Sequence, residues 1–164
     1  MDVSDDLRNI PCFSDLTVSE SQVIALLCEE VEGREGDRLL VQGDRVDHLQ
    51  FLIQGKAAVL RQIGDDQRIV GFVGVGGVLG ELALLDNGPA SATLQAMLPY
   101  RVLRFRLTDL KETFERQPVL GYKIISRLAR QTSLRLRLMV GKLSFHSAPL
   151  ELSLPPQSAA HHGS

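Results

Sequence analysis

Between Gly33 and Gly88 the chain alternates short apolar segments with turn residues. The segments are Leu39-Leu40-Val41, Leu49-Gln50-Phe51-Leu52-Ile53, Ala57-Ala58-Val59-Leu60 and Ile69-Val70-Gly71-Phe72-Val73. Eleven of the fourteen glycines fall in this stretch, a spacing that punctuates short strands rather than long helices. Gly64-Asp65-Asp66-Gln67 is a hairpin signal between two of the segments. Further on, Leu103, Phe105 and Leu107 alternate with Arg104 and Arg106, as in a half-buried strand. Turns at intervals of roughly ten residues predict a β jelly roll.

Helical patterns flank this β region. Ser19-Glu20-Ser21-Gln22 fits a capping box, with Val18 and Val23 placed for a hydrophobic staple. Val23, Leu26, Leu27 and Val31 then give one apolar face. Thr108 is placed to cap a short helix that Pro118 stops, and Pro118 to start a longer one to about Leu143. Within it Leu134-Arg135-Leu136-Arg137-Leu138 alternates with period two, which also fits a strand. The absence of glycine from 122 to 140 favours helix. The expected organisation is a lead over 1–12, one domain over 13–142 and a loosely ordered tail over 143–164. His161-His162-Gly163-Ser164 is given no function, and no internal repeat is found.

Charge changes this picture more than composition does. The 164 residues carry a net charge of −2, but residues 1–50 hold twelve acids against four bases. Residues 101–142 reverse the balance, with three acids against eleven bases. An acidic front and a basic back fit a nucleic-acid-binding tail, an internal electrostatic clasp or a partner surface. The longest apolar run, Ile69 to Gly80, is 12 residues, too short to span a membrane. The acidic N-terminus lacks the layout of a signal peptide. Cys12 and Cys28 lie outside any metal spacing and read as thiols in a reducing compartment. The expected location is the cytoplasm.

Catalytic motifs are missing. Neither Gly55-Lys56 nor Gly141-Lys142 has the preceding glycine of a P-loop, and Gly74-Val75-Gly76-Gly77-Val78-Leu79 lacks the third glycine of a dinucleotide fingerprint. A metal site inside a jelly roll needs several histidines, and the β region has only His48. An enzyme is the least supported class, and no cofactor or metal is expected.

The informative stretch is 76–94: a tight turn, then Gly80-Glu81, a short apolar helical turn, and a small-residue loop through Ala90, Ser91, Ala92 and Thr93. Backbone N–H groups freed at the start of such a turn form an anion site. Small residues admit a ligand close to the backbone, and Glu81 at the mouth offers an acceptor for a hydroxyl. Glu81 equally fits a capping or solvated carboxylate.

This stretch resembles the phosphate-binding cassette of cyclic nucleotide-binding domains, whose usual pattern is Gly-Glu-Leu-Ala-Leu-Leu followed by Pro-Arg-Ala-Ala-Thr. Gly36-Asp37, Gln42-Gly43-Asp44 and Phe51-Leu52-Ile53-Gln54-Gly55 match the family's turn glycines in order, so the resemblance covers residues 13–140. It implies a mainly β jelly roll with an N-terminal helix and two C-terminal helices. It also implies that Glu81 binds the ribose 2′-hydroxyl and that Gly80, Leu82, Ala83 and Ser91, with Ala92 beside it, surround the cyclic phosphate. Val59, Val70 and Val73 match the positions that wall the base in the catabolite activator branch of the family. Thr132-Ser133 match a pair on its last helix that meets adenine; read alone, the two fit a solvated or dimer face.

One position departs from the pattern. The family's arginine that pairs with the cyclic phosphate falls on Ala90, a contact worth about 1.5–3 kcal/mol. Arg61 and Arg68 on neighbouring strands are the candidates to replace it. Two readings follow: a stand-alone sensor that binds cAMP or cGMP weakly or atypically, or a ligand-free fold kept for protein interaction or dimerisation. Only 22 residues follow Lys142, so the family's helix-turn-helix does not fit and no sequence-specific DNA binding is expected. The basic segment 119–142 reads as a solvated face around a seam of Ile125, Leu128 and Leu138. The resemblance brings the acidic front and this basic back together, which favours a clasp or a partner surface over a nucleic-acid tail.

Overall fold

The computed structural model describes residues 3–143. Eight strands form two antiparallel four-stranded sheets. The first orders β1 (Cys28–Gly33), β8 (Tyr100–Arg106), β3 (His48–Gln54) and β6 (Val78–Leu79). The second orders β2 (Arg38–Leu40), β7 (Thr93–Ala96), β4 (Ala57–Ile63) and β5 (Asp66–Val73). The non-consecutive neighbours make this the expected jelly roll. Gly64 and Asp65 form the β4–β5 turn, as the hairpin signal predicts.

Helices follow the expected order with shifted boundaries. α1 (Val3–Arg8) and a 3₁₀ turn (Pro11–Phe13) precede α2 (Val18–Leu27). The capping box of α2 is two residues earlier than predicted: Thr17 accepts from the Glu20 N–H, and the Glu20 carboxylate accepts from the Thr17 N–H at 2.8 Å. Val18 is therefore the first helical residue and not part of a staple. Leu26 points to solvent and Val31 belongs to β1, so Ile24 is the buried anchor of α2. α4 (Leu107–Arg116) starts one residue before Thr108 and has no side-chain cap, because the chain turns from β8 into it at Arg106. α5 (Pro118–Leu143) is one helix, and period-two alternation within it does not make a strand.

The lead packs into the core rather than preceding it. Leu7, Ile10, Cys12 and Phe13 are buried with Leu49, Leu103, Leu120 and Ile124. Phe13, Phe51 and Phe105 form a triad with ring centroids 5.0, 5.7 and 6.0 Å apart. Such aromatic pairs add about 0.5–1.5 kcal/mol each beyond the area they bury. The chain divides into two compact units at Arg130/Gln131. In the second unit Leu134, Leu136, Leu138, Met139 and Val140 are exposed.

The charge split is an internal clasp. On β8, Arg104 makes a bidentate pair with Glu29, its direct neighbour on β1, at 2.8 and 3.0 Å. Arg101 holds Glu30 at 2.6 Å, Glu32 at 3.5 Å and Asp6 at 3.6 Å. On α5, Lys123 Nζ donates to Glu20 at 2.7 Å and Arg127 Nε to Asp15 at 2.8 Å. Each joins a base of the back to an acid of the front.

Candidate functional site

β6 pairs with β3 and delivers the chain to Gly80, whose φ is +82°. A side chain there would meet the His48 carbonyl oxygen at 2.7 Å and Val46 Cγ1 at 3.0 Å. Both the left-handed turn and the close approach require glycine. α3 (Glu81–Asp86) begins at once. Glu81 and Thr93 are the buried polar residues of the described chain, Glu81 at 8% exposure. The N–H groups of the first turn of α3 have no partners within the helix. Asn87, also left-handed at φ 57°, ends it by donating to the Ala83 carbonyl at 3.0 Å.

The return loop is tied to the β2–β3 connection. Ala90 N–H donates to the Asp44 carbonyl at 2.9 Å, and the Ala90 carbonyl accepts from Gly43 N–H at 2.8 Å. Thr93 Oγ1 accepts from Gln42 N–H at 3.0 Å, and the Gln42 side chain accepts from Gln62 N–H on β4 at 2.8 Å. Four short segments are thereby locked to one another. Within them Ala83 and Ala90 are buried, Leu82 and Ala92 half-buried, and Ser91 exposed.

Strand register sets the wall. Val59 of β4 lies between Leu94 of β7 and Gly71 of β5, in one row across the sheet. Val73, opposite Ala57, shares that face two residues along. Val70 does not join them: the register shifts between Val59 and Leu60, Val70 is skipped there, and it is 55% exposed. Thr132 and Ser133 lie on α5 in the second unit.

Arg61 is one of the two residues placed to replace the arginine that the pattern puts at Ala90. It stands two residues beyond Val59 on β4, on the same face, and its guanidinium donates to the Ser91 carbonyl of the return loop. Arg68, opposite it on β5, instead approaches Asp66 at 3.7 Å. The period-two step from Val59 was the available signal.

A cleft of about 740 Å³ opens elsewhere, between the β2–β3 loop, the α3–β7 loop and the start of α4. Of the expected site residues only Ala83 lines it, beside Arg45, Asp47, His48 and Lys111. Partial burial, then Arg104 and Arg106, hold the His48 imidazole below its ordinary pKa. Burial pushes the thiols of Cys12 and Cys28 up to about 12, so both stay protonated and unreactive at neutral pH. Among the described residues no cluster of His, Cys, Asp or Glu could hold a metal, and no helix is long and apolar enough to cross a membrane.

Residues 30–117, more than half the chain, match the family model of the cyclic nucleotide-binding domain. The chain belongs to that family. Over 129 residues this cyclic nucleotide-binding domain is 31% identical to the cAMP-dependent protein kinase regulatory subunit of Mycosarcoma maydis, covering 77% of this chain and 24% of that protein. Over 126 residues it is 27% identical to the cyclic AMP receptor protein of Thermus thermophilus, covering 76% of this chain and 58% of that one. The chain thus spans less than two thirds of either relative. A crystal structure of a cyclic nucleotide-binding domain from Methylobacillus flagellatus superposes with a TM-score of 0.79 at 22% identity, over 92% of this chain and 85% of that one. That likeness bears on the fold, which is the family's jelly roll with flanking helices.

Proposed function

We propose that this domain is a regulatory sensor that binds a cyclic nucleotide, cAMP or cGMP, weakly or atypically, and carries no catalytic role. The observation that carries the reading is Glu81, buried directly after the left-handed Gly80 and beside a return loop fixed to the β2–β3 connection. The Glu81 carboxylate accepts from the ribose 2′-hydroxyl. The N–H groups of Leu82 and Ala83 and the Ser91 hydroxyl hold the cyclic phosphate. Val59 and Val73 face the base. Ligand binding at the cassette shifts the population of the domain's conformations and so alters a partner surface. The names of the Mycosarcoma and Thermus relatives support cAMP as the first ligand to try. Ala90 removes about 1.5–3 kcal/mol of charge-assisted contact, roughly ten- to a hundred-fold in affinity.

Ala90 also favours a second reading, a ligand-free module that pairs through the exposed leucines of α5. Calorimetric titration with cAMP and cGMP, with 5′-AMP as control, separates the two. The sensor gives saturable heat with one cyclic nucleotide and a matching rise in melting temperature. No heat and no thermal shift at millimolar ligand sinks it and leaves the interaction module.

A further inference from the structure

We infer that Arg61 supplies, from strand β4, the cationic contact to the ligand phosphate that Ala90 cannot make from the cassette. This rests on reading the cassette as a nucleotide site, and it adds the residue that keeps such a site competent.

Three observations converge on it. The first is placement. Arg61 follows Val59 on one face of β4, and that face carries the row Leu94–Val59–Gly71. A side chain continuing this face reaches past the base wall toward the phosphate end of the pocket. The second is contact. Its guanidinium already touches the cassette, donating to the carbonyl of Ser91, the residue next to Ala90. One backbone bond uses part of a five-donor fork and leaves donors for a phosphate oxygen. It also fixes the fork before ligand arrives, which lowers the ordering cost of binding.

The third is charge. Among the described residues Arg61 makes no ion pair, so its full positive charge is available to the ligand. Five other cations on or beside the sheets are already engaged. Arg68 approaches Asp66, Arg101 holds three acids, Arg104 holds Glu29, and Arg45 holds Asp47 at 2.9 Å. Lys56 sits over the Phe72 ring, 4.7 Å from its centroid.

A guanidinium delivered by a strand differs from one delivered by the cassette. Phosphate and base contacts then come from one β-strand two residues apart, while the cassette contributes Glu81 and its N–H groups. A side-chain fork held by the Ser91 carbonyl also ties phosphate recognition to the conformation of the return loop. Charge recognition from β4 is therefore built in before ligand arrives.

The test titrates the full chain with cAMP and cGMP, comparing wild type, Arg61→Gln, Arg61→Lys and Arg68→Gln. For whichever nucleotide binds, Arg61→Gln is expected to weaken affinity about ten-fold or more. Arg68→Gln is expected to stay within about two-fold, because its charge is shared with Asp66. Arg61→Lys keeps the charge but not the fork, and falls between wild type and Arg61→Gln. The salt dependence of binding flattens in Arg61→Gln and not in Arg68→Gln. If wild type binds and Arg61→Gln binds equally well, the role given to Arg61 is wrong while the sensor reading stands. If wild type binds neither nucleotide, both fail. Should Arg61→Gln lower the melting temperature of the free protein, Arg61→Lys decides: affinity no better than that of Arg61→Gln overturns a contact through charge.

Discussion

Two sets of basic side chains occupy this domain, and their surroundings give them opposite uses. Arg101, Arg104, Lys123 and Arg127 come from β8 and α5, and each faces a carboxylate of the N-terminal third. Arg61 comes from β4, pairs with no carboxylate among the described residues and rests on a backbone carbonyl of the return loop. Residue type does not distinguish them. A cation whose charge is met inside the protein stabilises an arrangement of elements, whereas one whose charge is unmet at a ligand-shaped loop is available to an anion. The clasp fastens α2, β1, β8 and the first turns of α5 around the aromatic triad, and Arg61 stands at the mouth as a cation outside that clasp.

Two substitutions break this contrast in opposite directions. The larger effect is expected at the mouth. Glu81→Gln keeps the shape of a buried side chain and removes its charge, so affinity for cAMP should fall about ten- to a hundred-fold. The same variant should bind 2′-deoxy-cAMP no worse than wild type does, because the hydroxyl that Glu81 accepts from is already missing. Equal losses for both ligands would place Glu81 in a structural role. In the clasp, Arg101→Ala should do the reverse. It leaves Asp6, Glu30 and Glu32 close together without their cation, so the melting temperature falls while nucleotide affinity, corrected for any unfolded fraction, is unchanged. Thermal denaturation and calorimetry on the same two proteins read out the crossing pattern. If Arg101→Ala weakens binding as much as Glu81→Gln, clasp and mouth are one unit.

Much of the jelly roll was legible because its signals are local. The glycine spacing, the hairpin at Gly64 and Asp65 and the alternation of β8 each depend on a few neighbouring residues. The turn into α3 was legible for the same reason, since the left-handed Gly80 and the helix start at Glu81 are set by adjacent backbone geometry. The misses are the places where distant parts of the chain decide. Residues 1–12 read as a lead because nothing local shows Leu7 and Ile10 meeting Leu120 and Ile124. Val70 read as a wall residue because a β-bulge, which depends on pairing between two strands, moves it out of the row. Arg61 was visible only as a candidate beside Arg68, and cross-strand geometry separates them: one reaches Ser91, the other Asp66. The clasp was foreshadowed by the charge split, but the pairing of each acid with its base required the β1–β8 register.

The smallest expected effect sharpens the comparison through pH. Hydrogen bonding to Arg127, Lys123 and Arg104 holds Asp15, Glu20 and Glu29 respectively below the usual carboxylate range. Stability from these pairs is therefore complete above the unfolded carboxylate values, near 3.9–4.3, and is lost as pH falls through the lower folded ones. His48 is also depressed, by burial first and then by Arg104 and Arg106, with Asp47 and Glu29 opposing. Its contribution is present above the unfolded histidine value, near 6.5, and is lost as pH falls through its folded value. Melting temperature should accordingly decline in two steps on acidification, a shallow one below about pH 6.5 and a second below about pH 4. His48→Gln should remove the first step only. Asp15→Asn, Glu20→Gln and Glu29→Gln together should shrink the second, because a neutral amide keeps a hydrogen-bond acceptor without the titrating charge. Exposed pairs contribute little each, so the shrinkage is modest even for three. Arg61→Gln should leave both steps in place, since among the described residues Arg61 has no carboxylate partner whose protonation it shifts. A change of the acid step in that variant would mean that the charge at the mouth is engaged in the fold after all.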